Sequence, residues 1–378
     1  MFNTLLYHKT FLQEIHSNDL PHRKHSAMVM HVPLIEHEDN QYGGISLTAL
    51  KEMLIRYQGV VNYVAVTGVS NVTGIVNPIH DIAELAHQYG AYIVVDGTQM
   101  VAHMPVCLSS PDNPMRDIDA FVFSGHKIYA PGSPGVLIVK KEILASIEPQ
   151  ELGGGMVKDV NERSYSIIPH FPDREQAGTP NIVGIVTLAS VLEVLDRIDM
   201  TNIFEKEQRL MTDAIAKLQS VPNLEIYGYQ SSPSYGRVGA IAFNLEGLDH
   251  GLVAAVINDE HNIAVRNGCF CAHPYVRTLL KKSLWQIDLS EMSDEEAEYL
   301  INLKKGMVRA SFGLYTTEED ITALIDGLQM LATNGDEIRS LYLSQMDGSY
   351  VRRIPIPELQ PSFHPLQALN AALSKRLI

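Results

Sequence analysis

Two short apolar runs in this chain each end in groups that can do chemistry. Ile93-Val94-Val95 leads into Asp96, with Gln99 three residues on, and Phe121-Val122-Phe123 leads into Ser124-Gly125-His126-Lys127. In an open α/β sheet, ligands bind beyond the carboxyl ends of the strands, so the two runs deliver a carboxylate and an amine to one crevice. Each group alone has a plainer use. An Asp after a strand caps a helix, and a Lys after a strand is usually a solvated end. Together they meet the needs of a pyridoxal phosphate (PLP) site, in which the Lys forms the Schiff base and the Asp pairs with the ring nitrogen.

The next reactive patch is Val265-Arg266-Asn267-Gly268-Cys269-Phe270-Cys271-Ala272-His273-Pro274. Two small buried thiols are the plain reading. A metal site on Cys269, Cys271 and His273 lacks a second ligand cluster at a usual spacing. Cys107, the third cysteine, sits in a loop between strand signals and reads as a structural or incidental thiol.

The elements that position these groups alternate strand and helix. Tyr63–Thr67 reads as a buried strand, followed by a polar loop from Gly68 to Gly74. In Asn77-Pro78-Ile79-His80-Asp81-Ile82-Ala83-Glu84-Leu85-Ala86, Asn77 suits a helix cap, Pro78 the first turn, and Ile79, Ile82 and Ala86 one face. A β-loop-α-β order of this kind implies parallel strands joined by crossover helices. Ala130–Gly135 is a turn and Val136–Val139 another strand. Ile182–Ile198 and Ile203–Leu218 read as helices, and short strands such as Ala240–Phe243 mixed with helices follow. The expected division is a large domain over 1–198, a small α+β domain over 199–334 and an extension over 335–378. Order is expected to weaken after Ala332, with a Pro-rich stretch from Arg352 to Pro365 and a short helix over Leu366–Leu377.

With 378 residues the chain can bury one large core or two smaller ones. Apolar residues make up 46% and charged residues 19%, the balance of an ordinary globular protein. A net charge of -15 argues against a nucleic-acid surface and for a small-molecule substrate. No apolar run approaches the roughly 20 residues that span a bilayer. Charge and His throughout the first thirty residues leave no signal-peptide pattern. Three cysteines make no disulfide framework, so the expected compartment is the cytoplasm.

Five motifs in order carry a resemblance: Val-Ser-Asn-Val-Thr-Gly (69–74), Val-Asp-Gly-Thr-Gln (95–99), Phe-Ser-Gly-His-Lys (123–127), Ala-Gly-Thr-Pro-Asn (177–181) and Arg-Ala-Ser (309–311). They resemble the PLP-dependent cysteine desulfurases and selenocysteine lyases within the class V aminotransferases, over about Phe11 to Leu331. The resemblance implies an α/β fold of the PLP-dependent transferase type I. That fold has a large domain with a mostly parallel, seven-stranded type of sheet, incomplete here, and a smaller C-terminal α+β domain. It implies Lys127 as the Schiff-base lysine, Asp96 at the pyridine nitrogen and Gln99 at the phenolic oxygen. Asn71 then contacts cofactor or substrate, Ser124 and His126 hold the phosphate, and Thr179 reaches a phosphate in the neighbouring subunit of a homodimer. Arg309 pairs with the substrate carboxylate, where a bidentate contact favours Arg over Lys. The family pattern Arg-x-Gly-x-x-Cys-Ala places the nucleophile on Cys271, beside Arg266, whose charge eases ionisation of the thiol.

The sequence also departs from that pattern. Many relatives have His where Cys269 stands, and Arg-x-Gly-Cys-Phe-Cys also resembles the PLP domain of molybdenum-cofactor sulfurases. Cys269 is a candidate to relay sulfur or to protect Cys271. Glu14-Ile15-His16-Ser17-Asn18 resembles the family's Glu-His-His-Ala-Asn, with Ile15 in place of the histidine that stacks on the ring. Ile15 covers the ring by apolar contact, or His16 does so after a backbone shift. Relatives begin on the order of a hundred residues earlier and carry there a Gly-Thr-Thr-Glu phosphate anchor with no counterpart in this sequence.

The resemblance therefore implies a cysteine desulfurase that takes sulfur from L-cysteine as a Cys271 persulfide, releases alanine and passes the sulfur to an acceptor protein. Two alternatives stay open. One is a class V aminotransferase or epimerase without sulfur transfer; the other is a shortened, catalytically silent homologue acting as a dimer partner.

Overall fold

Runs of four to seven residues rich in Val, Ile, Tyr and Phe alternate here with stretches whose apolar residues recur at helical spacing, and each folds as its period dictates. The computed structural model describes residues 7–11, 14–26, 28–37, 42–228, 236–280 and 292–355. The first part of the chain contains β1 (Tyr7–Phe11), α1 (His16–His25), β2 (Met28–Val32), β3 (Leu34–Glu36), β4 (Tyr42–Ile45), α2 (Leu47–Arg56), β5 (Val61–Thr67), α3 (Ile79–Gln88), β6 (Tyr92–Asp96), β7 (Ala120–Ser124), β8 (Gly135–Val139) and α4 (Lys141–Ala145). Then come β9 (Val157–Val160), β10 (Tyr165–Ile167), α5 (Ile182–Ile198), α6 (Met200–Gln219), β11 (Leu224–Ile226), β12 (Ala240–Leu245), α7 (His250–His261), β13 (Arg266–Gly268) and α8 (His273–Leu279). The last described elements are α9 (Asp294–Lys304), β14 (Met307–Ser311), α10 (Glu318–Arg339), β15 (Tyr342–Ser344) and β16 (Tyr350–Arg352).

The large sheet runs β2-β1-β5-β6-β7-β8. Every pair in it is parallel except β7 with β8. A parallel sheet must be covered on its faces by crossover helices. The side chains of α3 that do so are Ile79, Ile82, Ala83 and Ala86, all buried. From α2, Leu50 and Leu54 join the same core. The α/β architecture with a mostly parallel sheet expected from the sequence is the one observed.

A second sheet, β11-β12-β14-β13, is antiparallel throughout. Its core is closed by α6, α7 and α10. The start of α6 (Ile203) packs with the first core, and Leu210 onward with the second, so this helix belongs to both.

Two sequence expectations are corrected here. Asn77 does not cap α3: Pro78 holds the N-cap position, and the buried Asn77 amide donates instead to the Thr67 carbonyl at 2.9 Å. Order also continues past Ala332. Helix α10 reaches Arg339 with a kink at Asn334, and β15 and β16 pair as a hairpin. Tyr350 Oη donates to Asp249 Oδ2 at 2.6 Å, which ties the hairpin to the start of α7. The expected helix over 366–377 and most of the Pro-rich stretch lie outside the described residues.

Candidate active site

The carboxyl ends of β5, β6 and β7 lie side by side, with Thr67 opposite Asp96 and Asp96 opposite Val122. Backbone bonds extend this alignment past the strand ends: Gly68 N donates to Asp96 O, and Gly97 N to Val122 O, both at 2.8 Å. Gly97 is required for it. A Cβ there would fall 1.8 Å from the Phe121 ring, so the chain crosses that ring only as glycine. Asp96 is buried, and its Oδ1 accepts from Thr98 N at 2.9 Å. Gln99 is half-buried on the same turn.

After β7 the chain makes one 3-10 turn over Gly125–Lys127, then leaves it through Tyr129 in the left-handed region (φ 63°). The turn is braced from beneath by the Ala130–Gly135 segment, with Ala130 N donating to Gly125 O at 3.2 Å. Ser124 ends the strand half-buried; His126 and Lys127 are open to solvent. Partial desolvation by the crevice walls nevertheless lowers the Lys127 pKa more than any single charge does. Arg309 and Arg266 push it the same way, while Asp96 and Cys271 oppose them.

Arg266 and Arg309 face each other across the β13–β14 ladder. Two like charges directly opposite are unfavourable unless an anion lies between them. Arg309 Nη1 donates to Asn71 O at 2.7 Å, its guanidinium lies 5.0 Å above the Phe270 ring, and its Nε is buried without a partner. Burial, then Arg266, lowers its pKa to about 10, with Cys271 opposing. Asn71 in turn donates Nδ2 to Phe270 O at 2.6 Å, so the loop after β5 clamps the thiol-bearing loop.

In that loop Phe270 and Cys271 are both left-handed (φ 51° and 57°), which turns the Cys271 side chain outward into solvent. Its carbonyl accepts from His16 N at 2.8 Å. The His16 ring meets His273 edge-on at 4.7 Å, and its Nε2 accepts from His273 N at 3.2 Å. His16 is therefore committed to the thiol loop. Cys269 points the other way: its thiol donates to Lys305 O at 3.3 Å, and burial raises its pKa. Cys107 Sγ, exposed, donates to Ser109 O at 2.9 Å.

The fold thus brings Asp96, Lys127, Arg266, Cys271 and Arg309 into one electrostatic neighbourhood, with Asn71 linking two of its loops. Thr179 stands apart, exposed in the segment before α5. Sequence reasoning gave no role to Glu14 or Phe270. Glu14 is 2% exposed, and its signal in the sequence is the i, i+4 row it starts with Asn18 and His22. Phe270 had no such signal, because its place under Arg309 depends on strand pairing distant in sequence.

The chain is also similar to known proteins. Over 267 residues the chain is 39% identical to a cysteine desulfurase of Shigella sonnei, a match covering 71% of this chain and 57% of that protein. This chain therefore spans little more than half the length of that relative. Among solved structures, the apo cysteine desulfurase of Thermococcus onnurineus superposes with a TM-score of 0.73 at 27% identity, covering 88% of this chain and 74% of that one. An S-sulfonic acid form of an Escherichia coli cysteine desulfurase gives 0.69 at 26% identity, covering 89% and 73%. The family model of the class-V aminotransferases matches residues 11–324. The strand-end carboxylate and amine, the two sheets and that match lead to one assignment: the chain belongs to the class-V aminotransferase family.

Proposed function

We propose that this protein is a PLP-dependent cysteine desulfurase, which takes sulfur from L-cysteine as a persulfide on Cys271 and releases alanine. The observation that carries the reading is an exposed thiol, Cys271, in the same charged neighbourhood as Lys127, Asp96, Arg266 and Arg309. The identity to the Shigella sonnei cysteine desulfurase supports it.

The residues fit the cofactor. Lys127 forms no ion pair among the described residues, so its amine is free to hold the aldehyde carbon. Asp96 spends only Oδ1 on a backbone amide, which leaves Oδ2 for the ring nitrogen. Gln99 on the following turn suits the phenolic oxygen, Ser124 and His126 beside Lys127 suit the phosphate, and Asn71 suits the substrate side of the crevice. Bound there, PLP supplies an electron sink for the carbon that bears the amino group.

The chain's own groups then divide the work. Arg309, with Arg266 opposite, grips the substrate carboxylate and sets its orientation. A lowered pKa leaves more of the Lys127 amine neutral than a solvated lysine would have, so it takes the proton from Cα and returns it. The Cys271 thiolate attacks the substrate sulfur. An S–S bond forms, the Cβ–S bond breaks with its electron pair left on Cβ, and Cβ gains a proton. One thiol and one cysteine give one persulfide and one alanine, with no outside oxidant or reductant.

Cys271 at the surface is open to a sulfur-acceptor protein. The apolar face of α5, with Ile182, Val183 and Val186 at 62%, 79% and 59% exposure, supports a homodimer in which Thr179 reaches the partner's phosphate site. Three free cysteines suit the reducing cytoplasm, and no helix among the described residues is long and apolar enough to cross a membrane. The alternative class V transaminase would not need the thiol. With PLP and a thiol reductant, the protein is expected to release sulfide and alanine from L-cysteine in equal amounts, and Cys271→Ser to lose both. Undiminished sulfide release by Cys271→Ser would overturn the reading.

A further inference from the structure

A carboxyl group that the proposed reaction does not use lies directly behind the site. Glu14 is 2% exposed, at the entrance to α1. Its Oε1 accepts from Thr67 N at 2.7 Å, and Thr67 is the residue of β5 that stands opposite Asp96. Its Oε2 is 2.6 Å from Asn18 Nδ2. Asn18 Oδ1 meets His22 Nε2 at 3.3 Å, and His22 Nδ1 meets Tyr63 Oη at 2.7 Å. One face of α1 thus carries a row of polar groups from the back of Asp96 out to Tyr63 on β5.

No lysine, arginine or histidine pairs with Glu14 among the described residues. The charges that act on it are both carboxylates, Asp96 on β6 and Asp19 on its own helix, and the groups in contact from β5 and α1 are neutral. Asp19 already pairs with Arg23 at 2.6 Å and lies within hydrogen-bond reach of His31 at 3.1 Å, so the pair that matters is Glu14 and Asp96. Of these two buried carboxylates Asp96 has Lys127 acting on it and Glu14 has no cation, and that difference in environment decides which keeps the proton. Asp96 takes its amide bond from Thr98 N as an acceptor, at the strand end nearer the charged groups of the site. Glu14 is sealed off. Asn18 serves either state, since its amide donates to a carboxylate and, turned by half a rotation, accepts from an acid.

We propose that Glu14 stays a protonated carboxylic acid at neutral pH and acts as a positioning residue, leaving Asp96 as the single anion beneath the site. Desolvation, with Asp96 adding to it, does hold the Glu14 pKa well above the usual carboxylate range. The functional half of the proposal rests on the PLP reading; the protonation half does not. The sign of the pH effect follows from linkage. Between the ordinary Glu pKa and the raised one, the unfolded chain has lost a proton that the folded chain keeps, so this group's contribution to stability falls as pH rises through that window. Glu14→Gln removes the fall.

The full chain without PLP gives the first test. Infrared spectra at neutral pH should contain the carbonyl stretch of a buried carboxylic acid, absent in Glu14→Gln. In Asp96→Asn the same band should titrate at lower pH, because the neighbouring anion is gone. The melting temperature of Glu14→Gln relative to the native protein should rise from pH 5 to pH 8. Absence of the acid band, an unmoved midpoint in Asp96→Asn, or a flat melting difference would each overturn the proposal. With PLP added, the pH midpoint of the visible band should coincide in the native protein and Glu14→Gln, since both carry a neutral group there. A shifted midpoint would overturn the functional half. No visible band in the native protein would instead sink the PLP reading and leave the acid assignment standing.

Discussion

Arg309 is held by shape and dipoles rather than by a counter-charge. A phenyl face lies beneath it, a carbonyl at one end and a second guanidinium across the ladder, and no carboxylate pairs with it among the described residues. Such a cation is costly to bury and is repaid by an incoming anion of matching geometry. Arg309→Lys keeps the charge and loses the fork. The expected result is a rise in KM for L-cysteine of roughly 10- to 100-fold, the value of one or two charge-assisted hydrogen bonds, with kcat changed less. Steady-state kinetics check this, and an unchanged KM would remove Arg309 from the substrate site. Lys127 follows the same logic at higher stakes. Desolvation first, then the charges of Arg309 and Arg266, lower its pKa, the direction a proton-accepting lysine needs.

At the scale of elements, the site depends on strands that end together and on what may follow them. Gly97 is the narrowest point. Gly97→Ala drives a methyl into the Phe121 ring, and overpacking of that kind costs about 3 kcal/mol. Denaturant unfolding should register that loss together with weaker PLP binding, because Asp96 precedes the displaced residue. Stability equal to the native protein would mean that Phe121 can move aside. The runs ending in Asp96 and Lys127 were legible in the sequence, since a buried parallel strand reads as a continuous apolar run with its chemistry at the carboxyl end. Asn77 was misread because cap preference is local, whereas its actual partner, the Thr67 carbonyl, is fixed by the loop that returns the chain to β5. The left-handed turn at Phe270 and Cys271 carried no glycine to announce it. The hairpin β15–β16 was missed for a related reason. Its three-residue strands are held by Tyr350 on Asp249 and Tyr342 on Asp259 at 3.3 Å, which are contacts with α7 and not local propensity.

For the whole molecule, two cores meet where the chain's reactive groups gather. The parallel sheet supplies Asp96 and Lys127 from its strand ends. The antiparallel sheet supplies Arg266 and Arg309 from adjacent strands, and the loop leaving β13 supplies Cys271. Asn71 and His16 reach from the first unit to hold the loop of the second, so the site forms only when both are folded. The central claim is that this crevice binds PLP through Lys127 against Asp96. The most direct measurement is to add PLP to the purified chain, reduce with borohydride and map the modified peptides by mass spectrometry. A pyridoxyl mass concentrated on Lys127, and lost from that peptide in Lys127→Ala, is the predicted result. Label spread over surface lysines with none preferred at Lys127 would contradict the account.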